Sequence, residues 1–309
     1  MSVRIGYGLG TAAARTPDAS RFGALVGALE RHGFDSLWLS ERIGGDVVDP
    51  VVGLAFAAAL TTRLKLGFSV MVLPGRNPAL VAKELASLDC LSGGRLLPAF
   101  GLGAPNPREH QAFGLEPAQR AAWLEEALPL LRRFWSEGRV DHDGARFQFH
   151  DVEVRPKPLG RMEVWLGGAG DRQLDRVGRL ANGWLGSFNT PDEAGTGRRA
   201  IEDSARRSGR EIDPGHFGTI VLYTPQRLDD AAVDTLMLRR RGRPRVDVED
   251  VVAQGDDALV PLLQRYVDSG ITKFVLMPLH DPSDWDEELG ALAQAVAPMQ
   301  GAPVGAPAA

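Results

Sequence analysis

The stretch from Leu64 to Leu73 restricts the fold more than any other part of the chain. Leu66, Phe68, Val70 and Val72 alternate with small or polar neighbours, and Met71 and Leu73 then make the run apolar on both sides. A strand covered on both faces belongs in a parallel sheet flanked by helices. Pro74-Gly75 and Asn77-Pro78 break it, and an apolar-periodic segment follows to Leu91. Ser92-Gly93-Gly94-Arg95 stops that helix, and a new apolar strand begins at Leu96. The unit is strand, loop, helix, strand.

The same unit recurs along the chain. Strands are predicted at residues 3–9, 34–40, 64–73, 95–100, 162–166, 183–187, 216–223 and 273–279, each with helical periodicity after it. Eight strands alternating with eight helical segments fit a (β/α)8 TIM barrel with loop insertions better than an open doubly wound sheet. Residues 104–116, 138–160 and 225–255 read as the insertions. The second contains a hairpin over 140–149 turned at Asp143-Gly144, and the third is polar and irregular. No shift in composition divides the chain. Residues 1–300 are therefore taken as one domain, and 301–309, rich in Ala, Gly and Pro, as a flexible tail.

A net charge of -5 gives no bulk attraction to nucleic acid or anionic membranes. The single cysteine, Cys90, rules out a disulfide within the chain. The N-terminus enters a strand with no charged leader before an apolar run, and no segment is long enough to span a bilayer, which predicts a cytoplasmic protein. The six histidines show neither HxH nor HExxH spacing, so no His-built metal site is expected. A GxSxG elbow is also absent.

In a barrel of this kind, chemistry gathers at the C-terminal ends of the strands. Glu41 and Arg42 arrive there directly from an apolar strand, either as an ion pair at the rim or as part of a site. Gly167-Gly168-Ala169-Gly170 lies between a strand and a helix. It suits a phosphate, because small residues let successive N–H groups converge beside a helix N-terminus, but a tight turn has the same composition. It lacks the last glycine of a dinucleotide fingerprint. The basic run Arg239 to Arg245 could meet an anion, although a solvated loop explains it more simply. Of the histidines, only His280 is expected at the barrel mouth.

Five blocks, in order, resemble the luciferase-like monooxygenase superfamily, which includes bacterial luciferase, FMN-dependent alkane monooxygenases and oxidoreductases using the deazaflavin coenzyme F420. They are residues 33–41; residues 66–78 continuing through 82–95; Gly101-Leu102-Gly103-Ala104 with Glu109 and Phe113-Gly114 downstream; residues 164–169; and residues 179–184. The likeness as a whole runs from Val3 to about Pro298. The second block is the most specific.

The resemblance implies a barrel holding a flavin or deazaflavin at its mouth. It implies a non-prolyl cis peptide at Ser69-Val70 that backs and bends the ring, Gly103 beside the cofactor, and Gly167, Gly168 and Ala169 at its phosphate. The whole-chain likeness is nearest the F420 branch, implying hydride transfer between F420 and a small organic substrate. FMN with oxygen, or a barrel that binds cofactor without turnover, are the alternatives. Glu41, Arg42 and Glu109 stand as catalytic candidates. Many members have Asp-His or Glu-His where this chain has Glu41-Arg42, and Arg42 is no proton donor near neutral pH. Pro105-Asn106 likewise replaces the usual glycine followed by an acid or aromatic. The resemblance further implies a homodimer or larger homo-oligomer, with a flavin or F420 reductase as partner.

Overall fold

In the computed structural model, residues 2–10, 18–240 and 242–300 are described; the expected tail 301–309 lies outside them. Strand β1 spans Arg4–Leu9 and β2 Ser36–Leu39. The third barrel strand comes in two pieces, β3 Lys65–Phe68 and β4 Met71–Val72, parted at a cis Ser69-Val70 peptide. The fourth is also divided, into β5 Leu96–Leu97 and β6 Ala99–Gly101. Pro98 stands between these pieces and has no N–H to give the ladder. A hairpin follows, β7 Val140–Asp143 with β8 Gln148–Val152. Next come β9 Trp165–Gly167, β10 Gly183–Ser187, β11 Phe217–Thr224, the short β12 Val252–Gln254, and β13 Lys273–Pro278.

Parallel pairing runs from β1 to β2 and β3, passes to the fourth strand through β3–β5 and β4–β6, and continues through β9, β10, β11 and β13 back to β1. The ring is closed, as expected for the barrel. The short β12 pairs in parallel with the C-terminal end of β11, beyond the residues that pair with β10.

The helices start where the sequence gives both a cap and a fixed φ. Asp49, Asn77 and Thr190 cap α2 Pro50–Leu60, α3 Pro78–Ser92 and α7 Pro191–Arg207, each with proline in the first turn. Asn106 does the same for α4 Pro107–Phe113, inside a segment read from sequence as an irregular excursion. The Asn-Pro pair was the signal that could have found it. The remaining helices are α1 Ala19–Arg31, α5 Arg120–Ser136, α6 Asp171–Leu180, α8 Asp230–Met237, α9 Leu259–Asp268 and α10 Trp285–Gln300. Helix α8 corrects the reading of 225–255 as wholly irregular. Among the described residues no helix is long and apolar enough to cross a membrane.

Two cores result. The larger fills the space between barrel and helices, and the smaller, inside the barrel, is built on Trp38 and Trp165, whose rings lie 6.3 Å apart. Gly67 makes room for the first: a Cβ there would sit 2.4 Å from the Trp38 ring. Arg95, the last residue of the Gly-Gly-Arg stop, ties the lower rim together. Its guanidinium donates to the carbonyls of Ala58, Thr61 and Leu64 at 2.6–3.1 Å, joining the end of α2 to the start of β3.

The barrel floor carries a buried ion pair. Lys273, only 1% exposed, meets Asp35 and donates to Ser36 Oγ at 3.2 Å. Burial opposes both charges. It lowers Lys273 to about 8, whereas the Lys273 and Lys65 charges and hydrogen bonds outweigh burial at Asp35 and hold it at about 2. Lys273→Met leaves Asp35 with only the half-exposed Lys65, and is expected to cost about 3 kcal/mol in denaturant unfolding. Because the folded pKa of Asp35 lies below its ordinary 3.8, its contribution is full above about pH 4 and is lost as pH falls towards 2. Melting temperatures measured over that interval should fall more steeply for the wild type than for Asp35→Asn.

Candidate functional site

A cavity of about 360 Å³ opens at the C-terminal ends of the barrel strands. The cis Ser69-Val70 peptide forms part of its wall. Val70 reaches across the ends of two neighbouring strands. A Cβ added at Gly101 would meet Val70 Cγ2 at 2.5 Å, and one at Gly167 would meet Val70 Cγ1 at 3.2 Å. Gly101 is thus required by the side chain packed on it.

The end of β2 holds this bulge on both sides. The Ser69 N–H donates to Leu39 O at 2.8 Å, and Ser40 Oγ lies 3.1 Å from both Ser69 O and Ser69 Oγ. Beyond the bulge, the Val72 N–H donates to Glu41 Oε2 at 2.6 Å. Arg76 closes the loop by pairing with Glu41 Oε1 and donating from Nε to Val72 O at 3.0 Å. The Glu41 side chain is 3% exposed, and both of its oxygens are engaged. Burial raises its carboxyl, against the pull of Arg76 and the Val72 N–H.

Glu41 and Arg42 therefore do not pair with each other. Glu41 pairs with Arg76, while Arg42 Nε lies 3.6 Å from Oε1 of Glu109 on α4. Arg42 lines the cavity; Glu109 is buried behind it. Gly103 also lines the cavity. Its loop is held by Arg120, which donates to Leu102 O at 2.9 Å and Gly103 O at 3.2 Å.

On the opposite wall, Gly167 and Gly168 line the cavity, and Ala169 lines a neighbouring recess. Trp184 Nε1 donates to Gly168 O at 2.8 Å and steadies the turn. The N–H groups of Ala169 and Gly170 converge on one oxygen, Gln173 Oε1, at 2.9 and 3.1 Å. The turn therefore presents donors in the arrangement an anionic oxygen requires, and here a side-chain amide occupies them. The sequence reading did not single out Gln173. Its place at the third position of the helix, after a glycine cap, was the available sign.

The basic run is a correction to the sequence reading. Arg240 is not solvated; it is 2% exposed, pairs with Glu193 at 2.7 Å and donates to Phe188 O at 2.5 Å. Arg243 reaches Ser187 O at 3.3 Å. These contacts pin the segment after α8 onto the end of β10. Arg239 turns into the cavity, 5.8 Å from the centre of the Phe188 ring. His280 sits outside the cavity lining, with Nε2 3.1 Å from Glu288 Oε1, beside the Tyr223 hydroxyl that donates to the same carboxylate at 2.7 Å.

Comparison with known proteins agrees with this geometry. The family model for luciferase-like monooxygenase matches residues 2–266. An F420-dependent glucose-6-phosphate dehydrogenase of Kineococcus radiotolerans is 32% identical over 166 residues, 50% of this chain and 49% of that protein. The chain thus matches about half the length of that relative. A protein of the same name from Segniliparus rotundus is 28% identical over 298 residues, 82% of this chain and 87% of that one. The coenzyme F420-dependent tetrahydromethanopterin reductase of Methanopyrus kandleri has the same fold, with a TM-score of 0.80 at 19% identity over 97% of this chain and 100% of that one. The family match covers most of the barrel, including every strand from β1 to β12, and the chain belongs to the luciferase-like monooxygenase family.

Proposed function

We propose that this protein is an oxidoreductase that moves a hydride between the deazaflavin F420 and a small organic substrate at the barrel mouth. The observation that carries the reading is the cis Ser69-Val70 bulge, clamped by Ser40 and Glu41 and lining the cavity. The names of the two dehydrogenase relatives support the choice of F420. When bound, the deazaflavin supplies the hydride chemistry; the protein binds and orients. Val70 would back the ring. The N–H groups of the 167–170 turn would meet the phosphate once Gln173 yields its place, and Gly103 would let the fourth-strand loop approach. Glu41 acts as the holder of the bulge, Arg42 as the cation facing the substrate, and Glu109 as the group that positions Arg42. FMN is the second candidate, because the family's own description is that of a monooxygenase.

Three measurements test this. Titration of the purified protein with F420 and with FMN should give saturable binding, tighter for F420. If neither binds below about 100 µM, the proposal fails. Gln173→Glu places a second negative charge at the phosphate turn. It should weaken F420 at least tenfold and leave the phosphate-free riboside of the same ring unaffected; equal losses for both ligands would remove the turn from phosphate binding. Gly101→Ala drives a methyl into Val70, an overpacking that costs roughly 1–3 kcal/mol. It should displace the bulge and lower affinity for the F420 ring and its riboside alike, and unchanged affinity for both would separate Val70 from the cofactor.

A further inference from the structure

The cavity mouth holds two guanidinium groups that have no hydrogen-bond acceptor among the described residues. Arg42 comes from the end of β2, and Arg239 from the turn after α8; both line the same cavity. Among the described residues neither donates a side-chain hydrogen bond. No carboxylate among the described residues lies within ion-pairing distance of Arg239, which stands over the face of Phe188. Arg239 stands exposed at the rim of the cavity that Arg42 also lines; partial burial, and after it the Arg42 charge, hold its guanidinium below its ordinary value.

The acids nearby do not neutralise this pair. Glu41 is consumed by Arg76 and the Val72 N–H. Glu109 faces Arg42 from behind: its Oε1 is 3.6 Å from Nε and makes no hydrogen bond. Glu109 meets Arg42 on its Nε side, and Arg42 itself lines the cavity. Leu222, Leu236, Met277 and Leu279 give the lining its apolar part, while Ser40, Ser69, Gln173 and Ser187 are its uncharged polar side chains. Both side chains are partly open to solvent at the rim, and an anion bound between two like charges removes their repulsion while accepting N–H donors from both forks.

We propose that Arg42 and Arg239 form an anion-recognising pair that selects a substrate carrying a carboxylate or phosphate group. This rests on the reading of the cavity as a cofactor and substrate site. It extends that reading by naming the substrate class and by assigning Arg239, from an insertion, to specificity. The same chemistry could serve an anionic group on the cofactor, so the experiment must separate the two sources.

The test uses the full chain and inorganic phosphate as probe, titrated calorimetrically at constant ionic strength into the free protein and into protein saturated with F420. The variants are Arg42→Gln, Arg239→Gln and Arg42→Lys, each first checked for a wild-type melting temperature; Arg42→Lys serves if Arg42→Gln does not fold. Phosphate should bind the F420-loaded wild type, and each glutamine variant should weaken it at least tenfold while F420 affinity stays within threefold. Unchanged phosphate binding in both glutamine variants overturns the proposal. So does a tenfold loss of F420 affinity with that of its phosphate-free riboside retained, because the pair would then serve the cofactor. If the wild type binds neither F420 nor FMN, the cofactor reading fails by itself. The free-protein titration then decides the arginine pair: loss on either substitution upholds it, and no loss overturns it.

Discussion

The Glu41 carboxylate is the contact on which the candidate site depends. It leaves the end of one barrel strand and holds the peptide of the next, through the Val72 N–H and through Arg76, which returns to Val72 O. Ser40 does the same on the other side of the bulge. With both shoulders held, Val70 projects over Gly101 and Gly167 and forms part of the cavity wall. A buried carboxylate that is hydrogen-bonded and paired is expensive to disturb, because losing one partner leaves an uncompensated charge. That makes Glu41 a part of the framework, and the groups open to a ligand lie elsewhere on the wall.

The barrel below is arranged to make this mouth rigid. Trp38 and Trp165 fill the interior, Lys273 and Asp35 close the floor, and Arg95 stitches the lower ends of helix and strand. The layers above are held by arginines to backbone carbonyls: Arg120 to the fourth-strand loop, Arg240 to Phe188. Guanidinium groups suit this task, since one side chain can satisfy several carbonyls that strand ends leave unpaired. The insertions are thereby made part of the cavity wall instead of hanging from it.

Much of the fold was legible in the sequence. Apolar runs of strand length followed by capped helical segments placed the eight barrel strands, and the hairpin formed, although its loop is 144–147 and Asp143 ends the first strand, paired with Gln148. The blocks resembling the luciferase-like family pointed to the Ser69-Val70 peptide and to the glycine turn after β9. Where local signals were weaker, the reading missed structure. The short α4 and α8 lie in polar segments with too few turns to show a clear apolar period, although Asn106-Pro107 marked one of them. Arg240 looked solvated because a run of arginines carries no trace of the acceptor that will meet it.

By itself, the sequence determined the alternation of strand and helix, hence the parallel barrel, and the family motifs that line its mouth. These are matters of local periodicity, capping and short spacing, and need no knowledge of distant partners. Only the tertiary structure decided how the charges are shared. Adjacent Glu41 and Arg42 part company, one to Arg76 and the other towards Glu109, and the Gln173 side-chain oxygen takes the N–H donors of the glycine turn. Arg239 and Arg240, side by side in the chain, face a cavity and a buried acid respectively. Pairing of this kind depends on which strand ends meet across the barrel, and barrel closure alone brings them together.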